Sequence, residues 1–219
     1  MNSHEVAIYL INHPEFFEEH AELLANVKLT SPIIGRSISL QERQMEVVRE
    51  KLKGMELRLS DLMRVAHEND EITSKFQAWT RSLLLARNDV DLPFVLTQGM
   101  QDIFDLPHAT LRLWNTEEDF SHTWFAAEST EDVQLFAKGL HVPYCGKNQD
   151  FEAAKWIDSD TKIESVAMLP LRLAPKETTF GLLVLGSPDV NRFTKEMGTD
   201  YLEKIADTCS AALACFVTV

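Results

Sequence analysis

The sequence predicts an α+β domain, an antiparallel sheet flanked by helices, preceded by a long N-terminal helical stalk. Three observations carry this. Between Gln41 and about Leu85, apolar and small residues recur at alternating steps of three and four, the 3.5-residue repeat of a helical seam. From residue 89 onward the pattern changes to short apolar and aromatic runs alternating with amphipathic ones. Near the end, two long apolar runs, Ser165–Leu173 and Thr179–Gly186, flank a polar Ala174–Thr178 turn and precede a last amphipathic stretch, Thr194–Phe216. The organisation that follows is short helices and a linker over 1–40, the stalk over 41–88, and the sheet domain over 89–219.

Residues 4–27 hold two short amphipathic pieces. The first ends at Asn12-His13-Pro14, because proline disfavours helix at the residue before it. The second restarts at Pro14, with Glu15, Glu18 and Glu19 suiting the positive end of its dipole and Phe16, Phe17, Leu23 and Leu24 giving it an apolar face. Thr30–Ser39, with Pro32 and Gly35, reads as a linker.

The stalk seam runs through Met45, Val48, Leu52, Met55, Leu59, Leu62, Ala66, Asn69, Thr73, Phe76, Thr80 and Leu83. A lone helix of this length, roughly 65 Å at 1.5 Å per residue, has nothing to bury such a stripe against. A second copy of the chain is the simplest partner, which makes Val48, Leu52, Met55, Leu59, Leu62, Asn69 and Phe76 candidate dimerisation residues. Packing against residues 4–27 of the same chain is the competing arrangement. Asn69 and Thr73 make the seam polar midway, where a buried Asn sets register, and Gly54 is a place for a bend.

In the C-terminal part, a helix over 92–104 is entered from Asp91 with Pro93 in its first turn. Thr110–Asn115 and Thr123–Ala127 read as strands, separated by the polar stretch Thr116–Ser121. Thr130–Lys138 reads as a helix, Leu140–Cys145 as a strand, Lys147–Ile157 as a helix, then the hairpin and the closing helix.

Composition narrows the function classes. Of 219 residues, 45% are hydrophobic and 25% charged, as in a globular protein. The formal charge of −13 is unevenly placed. Residues 1–88 carry 11 basic and 13 acidic side chains, a balance of −2, and residues 89–219 carry 10 and 21, a balance of −11. So acidic a domain repels phosphate backbones, since nucleic-acid affinity rests on Lys and Arg displacing counterions. No nucleic acid and no membrane are expected as its partners. No apolar run approaches the roughly 18 residues of a spanning helix, and Met1–His13 lacks the features of a signal peptide, so a cytoplasmic location is expected.

Two resemblances follow from specific residues. Pro170-Leu171, Gly181-Leu182-Leu183-Val184-Leu185, Ser187-Pro188-Asp189, Arg192-Phe193, Leu202 and Ile205-Ala206 together resemble the closing hairpin and last helix of GAF domains, over about residues 90–217. Tyr9-Leu10, His13-Pro14-Glu15-Phe16-Phe17, Leu23-Leu24, Ser39-Leu40-Gln41-Glu42-Arg43-Gln44, Leu111-Arg112-Leu113-Trp114, Tyr144-Cys145-Gly146 and Ser165-Val166-Ala167-Met168-Leu169 extend the likeness to the whole chain, which resembles the bacterial DUF484 family. That resemblance implies a helical segment, a helical stalk and a GAF-like domain, and implies no biochemical activity.

Candidate chemistry is sparse. Cys145-Gly146 sits at an expected strand-to-helix junction, where a helix N-terminus lowers a thiol pKa. Free methionine-sulfoxide reductase, an enzyme family of GAF fold, places a reactive cysteine near the corresponding position. The competing reading is a small buried residue beside a tight glycine turn. Arg112, within an apolar strand, is either an anchor for a ligand carboxylate or phosphate or a side chain on the outer sheet face. Arg172 divides similarly. Trp114, Trp124, Tyr144 and Trp156 are candidate pocket walls or plain core. The three cysteines, Cys145, Cys209 and Cys215, form no CxxC pair, and the seven histidines show no metal-site spacing. There is no GxSxG, P-loop or GxGxxG motif. The expectation is therefore a non-catalytic, homodimeric sensory or interaction protein without metal or cofactor, its GAF pocket open to an unknown small molecule. The alternatives are an adaptor gripping a protein partner through residues 4–40 and a thiol enzyme or redox sensor centred on Cys145.

Overall fold

The computed structural model describes residues 2–22, 28–30, 37–173, 178–195 and 198–218, with backbone alone for 28–30 and 37–42. The expected roles of Leu23, Leu24, Pro32, Gly35 and most of the Ala174–Thr178 turn lie outside the described residues. The chain divides into two compact units, Met1–Glu68 and Asn69–Val219.

In the first unit, α1 (Ser3–Asn12) starts where the Asn2 amide donates to Glu5 Oε2 at 2.9 Å, satisfying a donor that the helix start leaves free. It stops at His13, whose ring stacks on Tyr9 at 4.2 Å, ahead of Pro14. A single turn, α2 (Glu15–Glu19), follows. At the two ends of the expected linker, β1 (Lys28–Thr30) and β2 (Ser37–Ser39) pair antiparallel. Helix α3 (Leu40–Leu84) has 45 residues, begins in this unit and ends in the second, and has no break at Gly54. Intrahelical pairs Arg43–Glu46 and Arg64–Glu68 decorate it, each contributing a few tenths of a kcal/mol.

In the second unit, four antiparallel strands lie in the order β3-β6-β5-β4 (His108–Leu113, Thr178–Ser187, Ser165–Leu173, Tyr144–Lys147). Strand alternation sends two side-chain sets to opposite faces. Leu111, Leu113, Leu169, Leu183 and Leu185 face one core with Trp79 and Leu83 of α3, Leu96 and Met100 of α4 (Leu92–Phe104), and Leu202, Ile205 and Leu213 of α6 (Asp200–Leu213). Val166, Met168, Leu182 and Val184 face a second core under α5 (Glu131–Gly139), with Val133, Ala137, Ala153 and Ala154. The α+β layout expected from sequence is present, with β5 and β6 central and buried.

Four expected elements are corrected. Thr123–Ala127 is no strand; Trp124–Ala126 forms one 3-10 turn. The strand expected over Leu140–Cys145 is instead Tyr144–Lys147, since Pro143 has no N–H for a ladder and pairing begins at Tyr144↔Met168. The helix expected over Lys147–Ile157 shrinks to a 3-10 turn, Glu152–Trp156. There the Asn148 side chain donates to Ile163 O and accepts from the Phe151 amide, holding Asn148–Phe151 as a loop. The closing helix is Asp200–Leu213. Phe216 then turns inward against Phe120 and Phe125, and Val217 bridges Thr116, which ties the described C-terminal segment to the loop after β3.

Candidate functional site

Alternation decides which candidate residues meet. Arg112 pairs with Leu182 and lies on the α5 face with Trp114, Tyr144 and Trp156. Cys145 pairs with Ala167 on the opposite face, among the α4 and α6 core. Trp124 stands half exposed on its 3-10 turn, edge-on to Phe125. The six residues therefore do not share one cavity.

On the α5 face Arg112, Trp114 and Tyr144 each donate to a backbone carbonyl. Arg112 donates through Nη1 to the Glu128 carbonyl and lies over the Trp156 ring at 4.6 Å. Partial burial pulls its pKa down and the nearby Glu152 carboxylate opposes that shift. Glu152 in turn accepts from Thr130 Oγ1 at 2.8 Å, and Thr130 caps α5. Arg112 thus pins the segment leading into α5 onto the sheet. Trp114 Nε1 donates to Thr179 O at 2.8 Å. Tyr144 packs on Phe151, and its hydroxyl donates to Lys147 O at 3.2 Å, a position a Cβ on Gly146 would contest at 2.9 Å. Arg172 donates to Leu140 O and to Thr179 Oγ1.

Two spaces open on this face. A cavity of about 180 Å³ lies between Val133, Phe136, Phe151 and Met168. A cleft of about 660 Å³ opens at the sheet edge beside Trp114, Gln134 and Thr179. On the opposite face, Ile72, Met100, Phe104 and Leu202 line an apolar groove of about 390 Å³. Sequence reasoning missed that groove, because its walls come from segments more than a hundred residues apart. The closing-motif residues Arg192, Phe193 and Leu202 were the available signal.

The expected position of Cys145 at a strand-to-helix junction is corrected. Cys145 sits inside β4, away from any helix N-terminus, and burial pushes its pKa up to about 11. Cys209 is raised further by complete burial, and Cys215, exposed, is raised by partial burial and by Asp89. Alkylation with iodoacetamide at pH 8 is expected to label Cys215 first and Cys145 at least about 10-fold more slowly, since the thiolate is the reacting species. Peptide mass mapping over time reads the order; Cys145 reacting first would mean its environment is not this one. The raised pKa also fixes a sign. The buried neutral Cys145 thiol favours the fold below the unfolded-state pKa, and that contribution is lost as pH rises through about 11.

Among the described residues, no three His, Cys, Asp or Glu side chains gather as a metal site, and no helix is long and apolar enough to cross a membrane. The stalk seam divides at the unit boundary. Val48, Leu52, Met55, Leu59 and Leu62 are exposed, whereas Phe76 and Leu83 pack into the sheet domain's core. Asn69 and Thr73 meet Tyr201: its hydroxyl donates to Asn69 O at 3.3 Å and lies 2.7 Å from Thr73 Oγ1.

Among solved structures, the chain is similar to the GAF domain of an Acinetobacter phosphoenolpyruvate-protein phosphotransferase, at 10% identity and a TM-score of 0.46, covering 68% of this chain and 93% of that one. It is also similar to the native GAF domain of the potassium sensor histidine kinase KdpD from Escherichia coli, at 15% identity and a TM-score of 0.41, covering 65% and 93%. The uncharacterized protein YigA of Salmonella typhimurium is 24% identical over 212 residues, 94% of this chain and 88% of that protein. The model of the family described as protein of unknown function, DUF484, matches residues 1–218, and the chain belongs to that family.

Proposed function

We propose that the chain is a non-catalytic, GAF-like sensory and interaction module that forms a homodimer through the first half of α3. The observation carrying this reading is the unburied seam. Leu52, Leu59 and Leu62 are 52, 59 and 67% exposed, and they fall in one heptad register with Met45, Val48 and Met55. Apolar side chains repeated at a and d positions bury themselves by pairing helices. The seam positions beyond residue 68 are already occupied by their own domain, so the self-associating stretch is Met45–Leu62.

A catalytic role draws no support from the α5 face, where Arg112, Trp114 and Tyr144 each donate to a backbone carbonyl. The α5 face holds a cavity of about 180 Å³ and, at the sheet edge, a cleft of about 660 Å³; the second lies within the roughly 300–1,000 Å³ of small-molecule sites, so any ligand on this face belongs at that edge. An adaptor role through residues 4–40 has a narrower basis: α1 and α2 bury no residue and leave Ile8, Ile11 and Phe17 exposed. Sedimentation equilibrium of the full chain tests the main reading. A dimer is expected at about 50 μM protein; a monomer at that concentration would remove the dimeric stalk from the proposal.

A further inference from the structure

We propose that the apolar groove between α3, α4 and α6 is a binding site for a small apolar carboxylate, a hydrocarbon body ending in a single anionic head. The site lies on the sheet face opposite Arg112 and Trp156 and does not rest on dimerisation. All its residues belong to the Asn69–Val219 unit.

The body of the ligand is specified by the walls. Ile72 of α3, Met100 and Phe104 of α4, Leu185 of β6, and Leu202 and Ile205 of α6 enclose about 390 Å³, within the range small-molecule sites occupy. Met100, Leu185, Leu202 and Ile205 are buried members of the domain core, so the floor is preformed. Tyr201 also lines the groove, but its hydroxyl is engaged by Thr73 and the Asn69 carbonyl. A sugar or other polyhydroxyl ligand would therefore find few partners for its own groups against these walls, and burying them unpaired is costly.

The head group is specified by the rim. Lys75 and Arg192 both line the groove. Lys75 Nζ pairs with Asp105 Oδ2 at 2.9 Å. Arg192 Nη2 donates to the carbonyls of Phe104 at 3.0 Å and Asp105 at 3.3 Å, and its charge also acts on the Asp105 carboxylate that Lys75 holds. Asp105 thus brings an ammonium and a guanidinium together at the rim of the groove. A guanidinium beside an ammonium suits a ligand carboxylate. Asp105 holds its place in the left-handed conformation (φ 54°) at the end of α4, and it positions Lys75 through its carboxylate and Arg192 through its carbonyl.

The test is calorimetric titration of the full chain with decanoate, with decylammonium as the charge control. Decanoate is expected to bind saturably, one per chain, with Kd in the tens of micromolar, a value in keeping with about a dozen non-hydrogen atoms. Decylammonium is expected to bind at least about 10-fold more weakly, and Lys75→Ala to weaken decanoate by about 10-fold. Ile72→Trp, at the half-exposed edge of the groove, is expected to abolish binding while thermal unfolding stays cooperative. Three results would each overturn the proposal: no saturable decanoate binding below about 1 mM, equal affinity for decylammonium, or binding that survives Ile72→Trp and so lies elsewhere.

Discussion

A Leu52→Glu/Leu59→Glu double variant is expected to sediment as a monomer at concentrations where the unaltered chain is dimeric. Both residues occupy the same position of successive heptads and are more than half exposed along α3. In a twofold dimer each substitution counts twice, so four leucines leave the seam and four carboxylates enter it. Losing each leucine's burial costs about 1.5–3 kcal/mol, and desolvating or crowding the carboxylates adds to that. The sum exceeds the roughly 8 kcal/mol that separates a micromolar dimer from its monomers. Helix propensity is no confounder, because leucine and glutamate differ little on that scale. Circular dichroism should therefore show nearly unchanged helix content. Leu57 supplies the control. It is 61% exposed but lies five residues beyond Leu52, outside the a/d register, so Leu57→Glu should leave the association constant within about twofold. A dimer that tolerates the double variant would place the contact on another surface.

How much of this was readable beforehand depends on which contacts define each feature. The β5–β6 hairpin was legible because Ser165–Leu173 and Thr178–Ser187 are buried on both faces, and a strand so placed is written as a continuous apolar run. Helix α3 was legible from its heptads, to within a residue at each end. Cys145 was not. Its face depends on whether β4 begins at Leu140 or at Tyr144, and the parity of strand pairing against Met168 and Ala167 decides it; a slip of one residue would have sent the thiol to the α5 side. The 3-10 turns at Trp124–Ala126 and Glu152–Trp156 escaped because one turn carries no periodicity to read. Arg112 was correctly seen as an oddity in an apolar strand, but its partners, the Glu128 carbonyl and the Trp156 ring, arrive through loops whose course no local pattern specifies. Nor does the heptad repeat announce where its seam changes partner. Phe76 and Leu62 are equivalent in spacing, and only the folded domain shows that the first packs within the chain while the second stays open.

Trp79 sets the strength of that intramolecular half. Trp79→Ala is expected to destabilise the Asn69–Val219 unit by about 3–5 kcal/mol, the usual range for removing a fully buried large aromatic. The indole is wholly buried, lies near Phe76 and Phe104 at centroid distances of 5.8 and 6.3 Å, and donates from Nε1 to Leu96 O at 3.3 Å. Urea unfolding followed by circular dichroism should show a lower midpoint with an unchanged slope. A loss under about 1 kcal/mol would mean that this contact does not hold the end of α3 to the domain. The close approach has its own signature. A Cβ at Gly99 would stand 2.7 Å from Trp79 Cδ1, so Gly99→Ala alone should destabilise despite alanine's better helix propensity. Once Trp79 is alanine the obstruction is gone, and Gly99→Ala should instead stabilise by up to about 1 kcal/mol. A change of sign between the two backgrounds would identify glycine at 99 as the condition for seating the indole, since a general preference for flexibility in α4 would give the same sign in both.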